Sequence, residues 1–164
     1  MLRLVLPALV LLAFAPASVA QSSSLGGVTR ATDLVDWTAR IVPGDTAGEA
    51  HYVLDVTVAE GWNLYGSQSQ AGVPLTVSFS RLPEGVVPRG GLRESPTVNG
   101  MDEALGLPYA YHIESGQVTQ RLRVDRRAEG RHRIRAAVRF TVCNDSVCLP
   151  PTTVETAATL AVGG

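Results

Sequence analysis

The stretch His51-Tyr52-Val53-Leu54-Asp55-Val56-Thr57-Val58 decides the fold class, because Tyr52, Leu54, Val56 and Val58 alternate with His51, Val53, Asp55 and Thr57. Successive side chains of an extended chain point to opposite faces, so a period of two predicts a strand with one dry face. The pattern continues on both sides. Trp37, Ala39 and Ile41 alternate with Thr38 and Arg40, and Val73, Leu75, Val77 and Phe79 alternate with Pro74, Thr76, Ser78 and Ser80. Further runs cover residues 117–124, 132–142 and, more weakly, 153–162. Turn formers such as Pro43-Gly44-Asp45, Glu60-Gly61, Asn99-Gly100 and Glu129-Gly130 separate them, and no stretch carries a helical stripe. Six or seven short strands in about 130 residues predict an all-β domain, an immunoglobulin-like antiparallel β-sandwich.

The N-terminus reads as a secretory signal over residues 1–20: Arg3, an apolar run from Leu4 to Phe14, and the small-residue site Ser18-Val19-Ala20. The run is too short to span a bilayer. Residues 21–33 read as a flexible lead-in and residues 34–162 as one domain. The expectation is a soluble exported protein, periplasmic or equivalent, not membrane-embedded once the signal is removed. Roughly 140 residues are enough to bury a core without cross-links. The formal net charge is -1, and all fourteen basic residues are arginine. Eight of them lie between Arg121 and Arg139, but Arg133, Arg135 and Arg139 alternate with Ile134, Ala136, Val138 and Phe140, as on the wet side of a half-buried strand. With no excess charge and no binding motif, nucleic acid is not an expected partner.

Cys143 and Cys148 are the only cysteines, in Thr-Val-Cys-Asn-Asp-Ser-Val-Cys-Leu-Pro-Pro. In an oxidising compartment a disulfide is their expected resting state. It would close a ring of six residues, which the chain-entropy treatment credits with only about 2 kcal/mol. So small a restraint suits a bond that another thiol opens and closes. A purely structural bridge is the other reading, and location alone does not separate the two. No cation lies inside the ring and Asp145 disfavours a neighbouring thiolate, so local sequence does not make a strongly activated nucleophile. Pro150 and Pro151 remove two amide donors and should leave Cys148 at a rigid, unpaired edge.

Residues 83–108 read as one long irregular connection, with five glycines and four prolines and the apolar Met101, Leu105 and Leu107 around Asp102 and Glu103. Loops this long are commonly functional, and this one could lie over the cysteine ring.

The segment Cys143-Asn144-Asp145-Ser146-Val147-Cys148-Leu149-Pro150-Pro151, after a strand ending Arg-Phe-Thr-Val, resembles the redox motif of the N-terminal periplasmic domain of the DsbD thiol:disulfide interchange family. Gly61-Trp62-Asn63-Leu64-Tyr65-Gly66-Ser67 is similar to an aromatic turn of the same family. The resemblance spans roughly residues 34–162. It implies a domain that takes electrons from a thioredoxin-like or membrane-embedded reductase and passes them to exported disulfide-containing proteins, including disulfide isomerases and cytochrome c maturation factors. It also implies that Cys148 forms the mixed disulfide and Cys143 resolves it. A capping loop over the disulfide would fall in residues 100–111, with Met101, Asp102, Glu103, Leu105 and Tyr109 as its candidate members. That region lacks the adjacent Phe-Tyr pair of the family, and the cysteines hold four intervening residues where some members hold five. The chain ends sixteen residues after Cys148, without the membrane and thioredoxin-like parts of full-length DsbD, so the resemblance implies a separate donor polypeptide.

Two other classes stand beside the relay. One is a non-catalytic immunoglobulin-like interaction module with a structural disulfide. The other is a metal carrier using Cys143, Cys148 and a histidine or Met101, but His51, His112 and His132 are not at ligand spacing. Neither a cofactor nor a metal is expected. No local arrangement suggests a hydrolase or a phosphate loop.

Overall fold

The structure, a computed structural model, describes residues 29–103 and 105–163. The signal segment therefore lies outside the described residues, as does most of the lead-in. Within the lead-in's last residues, Ala31–Asp33 form a single 3-10 turn whose Ala31 is buried.

Eleven strands follow: β1 (Val35–Pro43), β2 (Glu49–Val58), β3 (Asn63–Tyr65), β4 (Thr76–Ser78), β5 (Val86–Glu94), β6 (Val98–Asp102), β7 (Leu107–Ile113), β8 (Ser115–Val124), β9 (Gly130–Phe140), β10 (Val142–Cys143) and β11 (Thr152–Val162). They form three antiparallel ladders in the orders β1-β2-β8-β5, β11-β9-β4 and β10-β3-β7-β6. The fold is an all-β, immunoglobulin-like sandwich, as the alternation predicts.

The core comes from the dry faces. Tyr52, Leu54 and Val56 of β2 and Val118 and Leu122 of β8 meet Ile134, Ala136, Val138 and Phe140 of β9, all essentially without solvent contact. Trp37 of β1 packs at 5.4 Å from the Phe140 ring, and Tyr52 meets Phe79 edge-on at 5.3 Å. Thr156 Oγ1 of β11 donates to the Ala136 carbonyl, so the Tyr52 hydroxyl donates to Thr156 Oγ1 at 3.0 Å. That chain satisfies the polar atoms of a buried tyrosine between the two layers. Val53, expected on the wet face, is also buried: β2 is an inner strand, and Val53 sits between Arg40 of β1 and Thr119 of β8.

Two expectations are corrected. Residues 83–108 are not one irregular loop, because β5, β6 and the start of β7 occupy most of them. β5 is an edge strand, where Pro88 need not donate to a second neighbour, and its ladder with β8 shifts register between Arg89 and Arg93, across Gly90 and Gly91. The strand read at residues 73–80 shortens to Thr76–Ser78. Leu75 is still buried, but Pro74 lacks the amide that a longer ladder needs.

Candidate functional site

β10 runs for only two residues along β3, pairing Val142 with Leu64 and Cys143 with Asn63. The chain then doubles back at once. Asn144 makes the turn: its Oδ1 accepts from the backbone N–H of Ser146 (2.9 Å) and of Val147 (2.8 Å). This side chain imitates a backbone turn, as Asn does readily. The Asn144 N–H donates to the Val147 carbonyl and the Leu149 N–H to the Val142 carbonyl, both at 2.9 Å. These bonds flank Cys143 and Cys148, which face each other as a bridge pair and are joined by a disulfide. Side chains of such a non-hydrogen-bonded pair approach closely, and the backbone groups of each residue point away from the other. Cys148 therefore turns its own N–H and carbonyl outward, at the rim of the β10-β3-β7-β6 sheet.

The two sulfurs differ in access. Cys143 is 6% exposed, whereas Cys148 is exposed. Exchange requires a thiolate to approach one sulfur from the side opposite its partner. Cys148 is thus the more accessible residue of the pair.

Register sets what lies beside them. Cys143 pairs with Asn63, Asn63 with Ile113, Tyr65 with Tyr111, and Tyr111 with Val98. Cross-strand partners and residues two apart share a face, so the disulfide, Tyr65, Tyr109 and Tyr111 all lie on one outer face. Tyr109 stacks on Tyr111 with ring centroids 5.0 Å apart, and Tyr65 meets Tyr111 edge-on at 6.5 Å. Burial, then the Asp102 charge and Tyr109, raises the Tyr65 hydroxyl above its ordinary pKa. Tyr111 is raised too, first by burial, then by Tyr109, Asp145 of the cysteine ring and Tyr65. The tyrosine ladder thus reaches from the β6-β7 turn to the ring. Gly100 lets it lie flat, since a Cβ there would overlap the Tyr109 hydroxyl.

The five capping candidates divide accordingly. Tyr109, and Asp102 through its pairing with Leu107, belong to the disulfide face; Met101, opposite Pro108, faces the other way by alternation. Glu103 and Leu105 lie in the hairpin turn, where Asp102 Oδ1 accepts from the Leu105 N–H at 2.9 Å. Of seven exposed large apolar side chains among the described residues, five (Val98, Met101, Leu105, Leu107 and Ile113) sit on this hairpin and a sixth, Val147, in the ring. Of these, Val98, Leu107 and Ile113 fall on the disulfide face by register.

Beneath the ladder lies a group that sequence reading missed. His112, which the sequence sets aside only as a metal ligand, is 1% exposed on β7, and its Nε2 lies 3.3 Å from Glu94 Oε1. Glu94 also accepts from the Ser67 N–H and from the Ser67 hydroxyl (2.9 Å). Burial alone would raise the Glu94 carboxyl, but the hydrogen bonds from His112 and Ser67 outweigh it and hold the group below the ordinary carboxylate range. Glu94 belongs to β5, whereas Ser67 and His112 follow and flank β3, so one carboxylate ties the sulfur-bearing sheet to the β1-β2-β8-β5 sheet. Among the described residues no three His, Cys, Asp or Glu side chains cluster as metal ligands. No helix among them is long and apolar enough to cross a membrane.

No protein-family model matches the chain, and no curated protein matches its sequence. Solved structures do match. The N-terminal periplasmic domain of ScsB from Proteus mirabilis superposes with a TM-score of 0.50 at 18% identity, over 79% of this chain and 48% of that one. The two share a fold. The reduced DsbD N-terminal domain from Neisseria meningitidis aligns at 18% identity over 83% of this chain and 96% of that one, with a TM-score of 0.49. The chain spans about half the length of the ScsB chain it matches.

Proposed function

We propose that residues 34–162 form a thiol-disulfide exchange relay that works through Cys143 and Cys148. A thiolate of a dithiol donor, thioredoxin-like or membrane-embedded, attacks the Cys148 sulfur. The Cys143–Cys148 bond breaks, Cys143 leaves as a thiolate and takes a proton, and a mixed disulfide joins Cys148 to the donor. The donor's second thiol attacks that bond and frees Cys148, so the donor is oxidised and the pair reduced. An exported protein disulfide then reverses the sequence: Cys148 attacks it, and Cys143 resolves the mixed disulfide. The reading of residues 1–20 as a secretory signal supports the periplasm or an equivalent exported space for this traffic.

One observation carries the reading: within a six-residue ring one cysteine is exposed and the other buried, on a sheet face that also carries three tyrosines and exposed apolar side chains. The apolar hairpin supplies a docking rim, and Asp102, Leu105 and Tyr109 supply the cap between encounters. Mixed-disulfide trapping with a thioredoxin-like protein that lacks its resolving cysteine and carries the remaining one as an activated mixed disulfide, whose small aryl thiolate leaves on attack, tests the roles. Cys143→Ser leaves a free Cys148 and should accumulate a covalent complex with an oxidised acceptor or activated thiol. Cys148→Ser should accumulate at least tenfold less. Equal trapping by both variants, or by neither, would favour the interaction module with a structural disulfide.

A further inference from the structure

The outer face of the β11-β9-β4 sheet carries a row of arginines. Arg131, Arg133, Arg135 and Arg139 of β9 are exposed while Ile134, Ala136, Val138 and Phe140 are buried. Their cross-strand neighbours are small: Ala161, Thr159, Ala157 and Thr153 on β11, and Thr76 beside Arg139 on β4. Glu155, opposite Ala137, is the one carboxylate in these registers. Among the described residues, the arginine ion pairs are Arg40 with Asp55, Arg121 with Glu49 and Arg127 with Glu84, all elsewhere.

The face is also concave at one point. β4 covers β9 only from Ala137 to Arg139. Beyond it the chain departs, and a groove of about 620 Å³ opens between residues 80–83 and β9. Arg81, Arg131, Arg133 and Arg135 line the groove with His132, and no carboxylate does. His132 Nε2 donates to the Ala128 and Glu129 carbonyls at 3.1 Å, which holds the ring in place.

We propose that this groove receives an extended acidic segment of a partner protein, with carboxylates at alternate positions on Arg131, Arg133 and Arg135. Three features select that occupant. The three arginines repeat every second residue, about 7 Å apart, which is the same-face repeat of an extended peptide. Among the described residues, the half of β9 that borders the groove lacks a strand neighbour on that side, and an open strand edge accepts an added strand. Guanidinium binds a carboxylate through two parallel hydrogen bonds, so arginine at each position gives register as well as charge. A planar anionic lipid surface would use the charge but neither the recess nor the open edge.

Fluorescence anisotropy at low salt tests this with a labelled peptide of about eight residues alternating glutamate and serine. Wild-type protein should bind it, and added salt should weaken binding. The R131S/R133S/R135S variant should lose about tenfold or more in affinity, while Arg40→Ser on the opposite sheet should not. A peptide of equal composition with its glutamates in one block should bind several-fold more weakly. Because the substituted positions are exposed, the thermal transition and the rate of disulfide reduction by dithiothreitol should match wild type, which separates this surface from the cysteine site. Absence of peptide binding, unchanged affinity in the triple variant, equal binding of the block peptide, or binding to phosphatidylglycerol vesicles in preference to the peptide would each overturn the proposal.

Discussion

The β1-β2-β8 and β9-β11 layers and the small β10-β3-β7-β6 sheet are built from the same residue types to opposite ends. In the first region alternate side chains of β8 and β9, and most of β2, are buried, and stability accumulates from Tyr52, Leu54, Val118, Ile134 and Phe140. In the second, β6 and β7 expose Val98, Met101, Leu107 and Ile113, the ladder β10 contributes is two residues long, and the disulfide closes the end beside the buried Val142 and Leu64. The difference teaches where a fold can place reactive groups. Under the proposed exchange role, a sulfur that meets another protein sits at an exposed rim while the core carries the domain without it.

Substitutions can break or sharpen that contrast. The largest effect is expected from Phe140→Ala, which removes a fully buried ring from beneath Trp37: a loss of about 3–5 kcal/mol in denaturant unfolding. Wherever the variant is still folded, the reduction rate of Cys143–Cys148 should stay close to wild type. A large change in that rate would show that the two regions are not separable.

Glu94→Gln acts on the link between them and should cost about 1.5–3 kcal/mol near neutral pH, because the charged partner of Ser67 and His112 is lost. Its pH dependence is distinctive. A carboxyl held below its ordinary pKa stabilises the fold above the unfolded-state value, and that contribution disappears as pH falls through the folded-state value. Wild type should therefore lose stability on acidification through and below the ordinary carboxylate range, and Glu94→Gln should lose less. Urea midpoints at neutral and acid pH measure the difference.

Asn144→Ala should have the smallest effect on stability, under about 1 kcal/mol, because it removes only the acceptor for two exposed turn amides. The ring should feel it more than the domain does. Without that turn the closed form is less favoured, and the disulfide should become easier to reduce by about twofold to fivefold in equilibration with glutathione. An unchanged equilibrium would mean that the bridge pairing of Cys143 and Cys148 alone sets the geometry.

Legibility followed burial. β1, β2, β8, β9 and β11 alternate because one face is dry, and that period is visible in the residues themselves. β5 buries only Val86, and β6 buries none of its residues, so glycine and proline there read as loop although the backbone is paired. At the site, the cysteines and Tyr65 stood out by type and motif. The arrangement of Tyr109 and Tyr111 beside the ring came only from register, and the Glu94 to His112 contact joins positions eighteen residues apart on different sheets.

The amino-acid order by itself determined the all-β class, the main dry faces and the presence of one closely spaced cysteine pair, because a two-residue period and a residue type are local properties of the chain. Which sulfur is exposed, what surrounds it, and that the arginines of β9 border an open groove were decided only in three dimensions. Burial and strand register depend on partners far away in sequence, and no local period encodes them.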